Sequence, residues 1–272
     1  MSSGIGSDPK RRSTFRSDAL EQVCADRSDP PVAPLQDCSG RHRTTGHFDP
    51  AVPRSQRRAD LGQVIAIPNR INPFTPLRIA DEVSWLTRIK LARLEHDGSQ
   101  CRQVLADSTV SHRTIPDRPM ARGCGLTDAV EVSRSSVGLS REFTATCSLA
   151  VAWALFETHV LQPVARGHFG QGVVRVTHLG TYACRNINHR AGGRRSEHAT
   201  ANAIDIAGFV LADGQQITVR NDWQGSSERR SAFLRALRDE ACDFFDVVLS
   251  PDYNEAHHDH FHLDMGSRRA CR

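Results

Sequence analysis

Two short stretches of this 272-residue chain gather side chains that can ligate a metal ion. In the first, Ser196 to Asp205, His198 and Asp205 stand seven residues apart, and Asp205 sits between Ile204 and Ile206 in an otherwise apolar run. A carboxylate in such a run is costly to bury unless it is paired or binds a metal. In the second, His257 to Asp264, four histidines (His257, His258, His260, His262) fall within six positions and are followed by Asp264. Zinc enzymes use three protein ligands from His, Asp, Glu or Cys, keep a position open for water, and need further groups to orient the ligands. Together the two stretches hold enough donors for such a site. Nothing in them suggests a Ser-His-Asp triad, so Ser196 reads as a loop cap.

The elements that must position these residues follow from periodicity. If His260 to Met265 forms a strand, alternation puts His260, His262 and Asp264 on one face, expected to be wet, and Phe261, Leu263 and Met265 on the core face. Ala203 to Leu211, the turn Ala212-Asp213-Gly214 and Gln216 to Val219 read as a hairpin. Val173, Val174 and Val176 predict a strand, and Val247 to Leu249 a short buried one. Leu149, Ala152, Trp153, Phe156, Val160 and Val164 recur at three- and four-residue steps, which predicts an amphipathic helix ending near Gly167. Phe233, Leu237 and Ala241 share a face of a second helix, and Trp85, Leu86, Ile89 and Leu94 suit one face of a short first one. The polar, Gly-containing interval from Ser108 to Glu142 reads as loops with one or two strands. This order predicts an α+β domain built on a mainly antiparallel sheet with flanking helices. The domain is expected over residues 67–272, where Pro68, Pro73 and Pro76 punctuate an extended lead-in. Residues 1–66, rich in Ser, Pro, Arg and Asp, bury too little to offset their ordering entropy and are expected to be disordered.

The formal charge of +4 comes from 35 basic and 31 acidic residues without any block of five or six like charges, which argues against a nucleic-acid-binding tail. The longest apolar run, Leu149 to Phe156, is too short to span a bilayer, and no signal-peptide core is visible in the first 66 residues. None of the eight cysteines forms a C-x-x-C pair, so disulfides in an oxidising compartment are expected, with up to three bridges among the six from Cys101 onward.

From Ile67 to Met265 the sequence resembles the extensin-like C-terminal domain family of bacteria, itself similar to the D-Ala-D-Ala metallopeptidase, lysostaphin and hedgehog fold group. The resemblance rests on Thr75-Pro76-Leu77, Trp85-Leu86-Thr87, Gly180 to Asn186, the Ser-x-His-x-x-x-x-Ala-x-Asp signature from Ser196 to Asp205, and Asp259 to Asp264. It implies a zinc ion held by His198, Asp205 and His262, with a catalytic base from Asp259 or His260. His257 is a further candidate, because His257, His260 and His262 match the His-x-x-His-x-His of a murein endopeptidase in the group. Arg185 resembles the arginine that the carboxypeptidases place ahead of their signature to hold substrate or oxyanion, and Asp264 reads as a structural acceptor. The fold group has Gly where this chain has Ala201, a position where a methyl costs about 1 kcal/mol if the backbone takes positive φ. The implied activity is zinc-dependent cleavage of peptidoglycan peptide bonds, as a carboxy- or endopeptidase in the cell envelope or periplasm. One alternative is a non-catalytic, metal-containing wall-binding module. Another is a protein whose histidines hold a nickel- or copper-like ion.

Overall fold

The computed structural model describes residues 67–68 and 71–272, so the expectation for residues 1–66, including Cys24 and Cys38, lies outside the described residues. The chain opens with α1 (Trp85–Leu94) and α2 (Gly98–Ala106), then runs through β1 (Ser111–Thr114), β2 (Arg118–Ala121), β3 (Cys124–Leu126), β4 (Ala129–Arg134), β5 (Gly138–Leu139) and β6 (Phe143–Thr146). A long helical stretch follows as α3 (Cys147–Phe156), a π-turn (Glu157–Leu161) and α4 (Gln162–Phe169). The second half holds β7 (Val173–Gly180), β8 (Ala203–Leu211), β9 (Gln216–Thr218), α5 (Val219–Asp222), α6 (Glu228–Ala241), β10 (Val247–Leu249), β11 (Phe261–Asp264) and β12 (Ala270–Cys271).

The main sheet has the order β12-β10-β11-β8-β7-β5, with β9 also paired to β8. Only β12 with β10 and β5 with β7 run parallel, so the α+β class on a mainly antiparallel sheet holds. A second antiparallel sheet, β1-β4-β6, and the β2-β3 pair account for the interval from Ser108 to Glu142, which carries more strands than its sequence suggests. These strands are short, and β1, β2 and β3 do not alternate: β2 exposes all four of its residues and β3 buries all three.

α3 is the centre of the core. Thr146 caps its start by accepting a hydrogen bond from the Leu149 N–H, and every residue from Cys147 to Phe156 is buried. The expected amphipathic stripe is therefore only part of a helix that is apolar all round, as a helix enclosed on every side must be. It continues through the π-turn to Phe169, where Gly170 takes the left-handed conformation and ends it. In the π-turn, buried Glu157 accepts hydrogen bonds from the Ser135 hydroxyl at 2.5 Å and from Ser136, and burial pushes its carboxyl up to about 7. α1 also corrects its reading: Leu86, Leu91 and Leu94 face the core, whereas Trp85 and Ile89 are exposed. α6 packs Phe233, Leu237 and Ala241 inward as expected.

Three disulfides close the six described cysteines: Cys101–Cys147, Cys124–Cys184 and Cys242–Cys271. They are compatible with an extracellular or envelope location. Among the described residues no helix is long and apolar enough to cross a membrane. The Cys101–Cys147 bridge joins α2 to the first residue of α3 and closes a loop with a sequence separation of 46. Replacing both of its cysteines by alanine is expected to cost about 4 kcal/mol on the chain-entropy scale. Urea unfolding of the oxidised double variant against the parent checks this.

Candidate metal centre

β8 and β11 pair so that Asp205 stands directly opposite His262. Neighbours across an antiparallel ladder point to the same face, so the strand register alone brings a carboxylate and an imidazole together. The third member comes from a single 3-10 turn, Glu197–Thr200. Ser196 caps this turn by accepting from the His198 N–H at 3.4 Å, which bears out its reading as a loop cap. Ala201 closes the turn with φ 56°, and its methyl is fully buried against Leu126 and Ala129. Asn202 then ties the turn to its surroundings: its side chain donates to the Met265 carbonyl at 2.9 Å and accepts from the Thr146 hydroxyl at 2.9 Å.

His198, Asp205 and His262 converge with potential ligand atoms all within 4.8 Å of one another, and all three residues are buried. His198 Nδ1 donates to the Thr181 carbonyl at 2.8 Å, which turns the lone pair of Nε2 toward the Asp205 carboxylate at 3.1 Å and His262 Nδ1 at 3.2 Å. His262 Nδ1 lies 3.0 Å from Asp205 Oδ1, and its Nε2 lies 2.8 Å from Asp264 Oδ2. Asp264 also accepts from the Gly266 N–H at 2.8 Å, so it orients His262 from behind. A lone pair and a carboxylate pointed at each other in a dry site repel unless a metal ion or a proton lies between them. Two imidazoles and one carboxylate, each histidine held at its outer nitrogen, form a donor set suited to a metal ion.

Within the cluster the buried groups shift one another's charge. Burial alone would raise the Asp205 carboxyl, but its contacts with His198 and His262 outweigh that and hold it well below the usual carboxylate range. Burial likewise opposes charge on His262, yet hydrogen bonds to Asp205 and Asp264 lift it to about 9. A protonated His262 thus sets positive charge directly against the Asp205 and Asp264 carboxylates.

The remaining candidates surround this cluster unequally. His260 points its Nε2 to within 3.6 Å of Asp205 Oδ1, and its Nδ1 meets Asp259 Oδ1 at 2.9 Å. Asp259 thus reaches the cluster only through His260, and the hydrogen bond from that ring lowers its carboxyl below the ordinary value. The His257 ring lies 5.3 Å from that of His260 and 5.9 Å from that of His262, while its Nδ1 lies 2.7 Å from Asn254 Oδ1. Burial, then the neighbouring His262 and His260, push His257 down to about 4. His258 is exposed and meets Arg220 instead. The polar face of β11, expected to be wet, is buried at His262 and Asp264.

A cleft of about 380 Å³ opens beside the cluster, with Arg185, His257 and His262 in its lining, so Arg185 does share the site. Sequence reasoning missed Thr181, which acts through its backbone carbonyl, and Asn254, which holds His257 from three residues ahead. It also missed Tyr253, Arg194, Arg268 and Arg272 in the same lining. A larger cleft of about 650 Å³, lined by Thr75 to Arg78 and residues of α2, includes no residue of the cluster.

A family profile described as extensin-like protein C-terminus matches residues 99–272, more than half of the chain, and the chain belongs to that family. No curated protein and no solved structure matches it.

In the metal-free protein the folded value of His262 lies above the 6.5 of a free imidazole, so its stabilising contribution is full below about 6.5 and is lost as pH rises through about 9. The expected loss is roughly 3 kcal/mol between pH 6 and pH 10, read by urea unfolding in chelator. A flat profile there counts against the protonated pair. At Ala201, a change to glycine relieves about 1 kcal/mol of left-handed strain but removes a buried methyl of about 0.8 kcal/mol. Ala201→Gly is therefore expected to leave stability within about 1 kcal/mol of the parent by the same assay.

Proposed function

We propose that this extensin-like chain is a zinc-dependent peptidase acting on peptidoglycan peptide bonds, as a carboxy- or endopeptidase, and that the domain responsible spans residues 67–272. The observation that carries the reading is the buried His198–Asp205–His262 convergence, with the Asp259–His260 pair set against it at 3.6 Å. The likeness of its motifs to the D-Ala-D-Ala metallopeptidase, lysostaphin and hedgehog group, and the three disulfides suited to an envelope location, point the same way.

His198 Nε2, His262 Nδ1 and an Asp205 oxygen would hold the metal. Zinc bound there supplies Lewis-acid polarisation of a scissile carbonyl and lowers the pKa of an attacking water. Thr181 and Asp264 keep the two imidazoles turned toward the ion. His260, oriented by Asp259, accepts the proton of the attacking water at Nε2 and returns it to the leaving amine. Arg185, from the wall of the cleft, offsets the negative charge that develops on the carbonyl oxygen. His257 is the second candidate base: its ring lies beside both His260 and His262, and its low pKa keeps it neutral at pH 7.

Digestion of purified peptidoglycan, with products read by mass, tests the reading. The parent with one zinc per chain is expected to release new amino termini. His198→Ala is expected to lose both metal and products, and His260→Ala to keep the metal but lose activity at least about 100-fold. A zinc-loaded parent that binds sacculi and releases no termini is instead a wall-binding module.

A further inference from the structure

The sheet register extends beyond the metal ligands. Asp205 pairs with His262 across β8 and β11, and His262 pairs with Leu249 across β11 and β10. β12 continues the sheet in parallel with β10, Val248 facing Cys271, so one more residue places Arg272 beside Leu249. The Arg272 N–H donates to the Val248 carbonyl, and the main-chain oxygen of Arg272 accepts from the Ser250 N–H, which fixes that placement. One row of side chains therefore runs Asp205, His262, Leu249, Arg272 toward the edge of the sheet. Two strand spacings separate His262 from Arg272, about 10 Å, which an extended peptide spans in about three residues.

The charges along this row are uneven. Arg268 and Arg272 are exposed, line the same cleft as His262, and make no side-chain hydrogen bond or ion pair among the described residues. Arg194 lines it too and pairs with Glu197 at 3.3 Å. Asp264 is already held by His262 and Gly266, and the main-chain oxygen of Arg272 is held at 2.9 Å by both the N–H and the hydroxyl of Ser250. The floor between the metal cluster and the arginines is apolar, formed by Val247, Leu249 and Ala270. The Cys242–Cys271 disulfide anchors the strand that carries Arg272 to the end of α6, so these guanidinium groups are presented from a fixed backbone. Guanidinium forks bind carboxylates in paired, charge-assisted hydrogen bonds.

We propose that Arg268 and Arg272 form an anion subsite that takes a substrate carboxylate about three residues from the bond held at the metal centre. The proposal rests on the peptidase reading and narrows its substrate class to acidic peptides. Two probes test it on the zinc-loaded full chain: acetyl-Ala-Glu-Ala-Glu-Ala, and the same peptide with every carboxylate converted to carboxamide. The parent is expected to bind the acidic probe at least 10-fold more tightly by calorimetry, with the preference shrinking at high salt. The double variant Arg268→Gln/Arg272→Gln is expected to lose that preference while binding the amide probe and one zinc as the parent does. Equal binding of both probes by the parent overturns the subsite, as does an unchanged preference in the double variant. If the parent discriminates but releases no new amino termini from peptidoglycan, the peptidase reading fails and the subsite stands. If it cleaves peptidoglycan but binds the two probes alike, the subsite fails and the peptidase reading stands.

Discussion

A carboxylate and an imidazole facing each other across two buried strands form the pair on which everything else in this domain depends. Taking Asp205 out of water costs several kcal/mol unless opposite charge is held against it. The register of β8 and β11 supplies His262 directly opposite, and the turn before β8 supplies His198. Each imidazole then needs an acceptor for its other nitrogen, or it would rotate out of line. Those acceptors are the Thr181 carbonyl and Asp264, and Asp264 in turn is held by the Gly266 N–H. One desolvated charge thus imposes order on three separated stretches of chain.

The turn that carries His198 shows how a local penalty is absorbed. Ala201 is one of five non-glycine residues at positive φ among the described residues, and it ends the turn so that Asn202 can bond to both the Glu197 carbonyl and Met265. Strain at that residue is tolerated because its methyl fills a small cluster with Leu126 and Ala129. Glycine would serve the backbone better and the packing worse. The orientation of the turn that carries His198 is therefore compatible with either residue at position 201.

What is legible in the chain is whatever depends on short-range periodicity. The alternation of His262 and Asp264 with Phe261 and Leu263 is a property of any strand, and so are the hairpin of β8 and β9 and the inward face of α6. Alternation does not say what covers a face, so the polar side of β11 reads as solvent-facing although it is enclosed. Around α1 several apolar stripes are equally compatible with the sequence, and packing selects Leu86, Leu91 and Leu94 over Trp85 and Ile89. The strands between Ser111 and Leu139 are two to six residues long, too short to leave a clear period. Arg268 and Arg272 enter the cleft only because β12 adds to β10, and a parallel pairing between distant segments has no signature in either segment.

The Cys124–Cys184 bridge joins β3 to the stretch that contains Thr181 and Arg185. That stretch supplies the carbonyl that aims His198, and it is tied to the ligand turn by the Ala183 N–H bonding to the His198 carbonyl. The disulfide therefore braces, from the side of the β2-β3 pair, the backbone that aims the His198 ring and carries Arg185. Reduction of one bridge that includes no residue of the His198–Asp205–His262 cluster loosens the segment on which the angle of a buried imidazole depends.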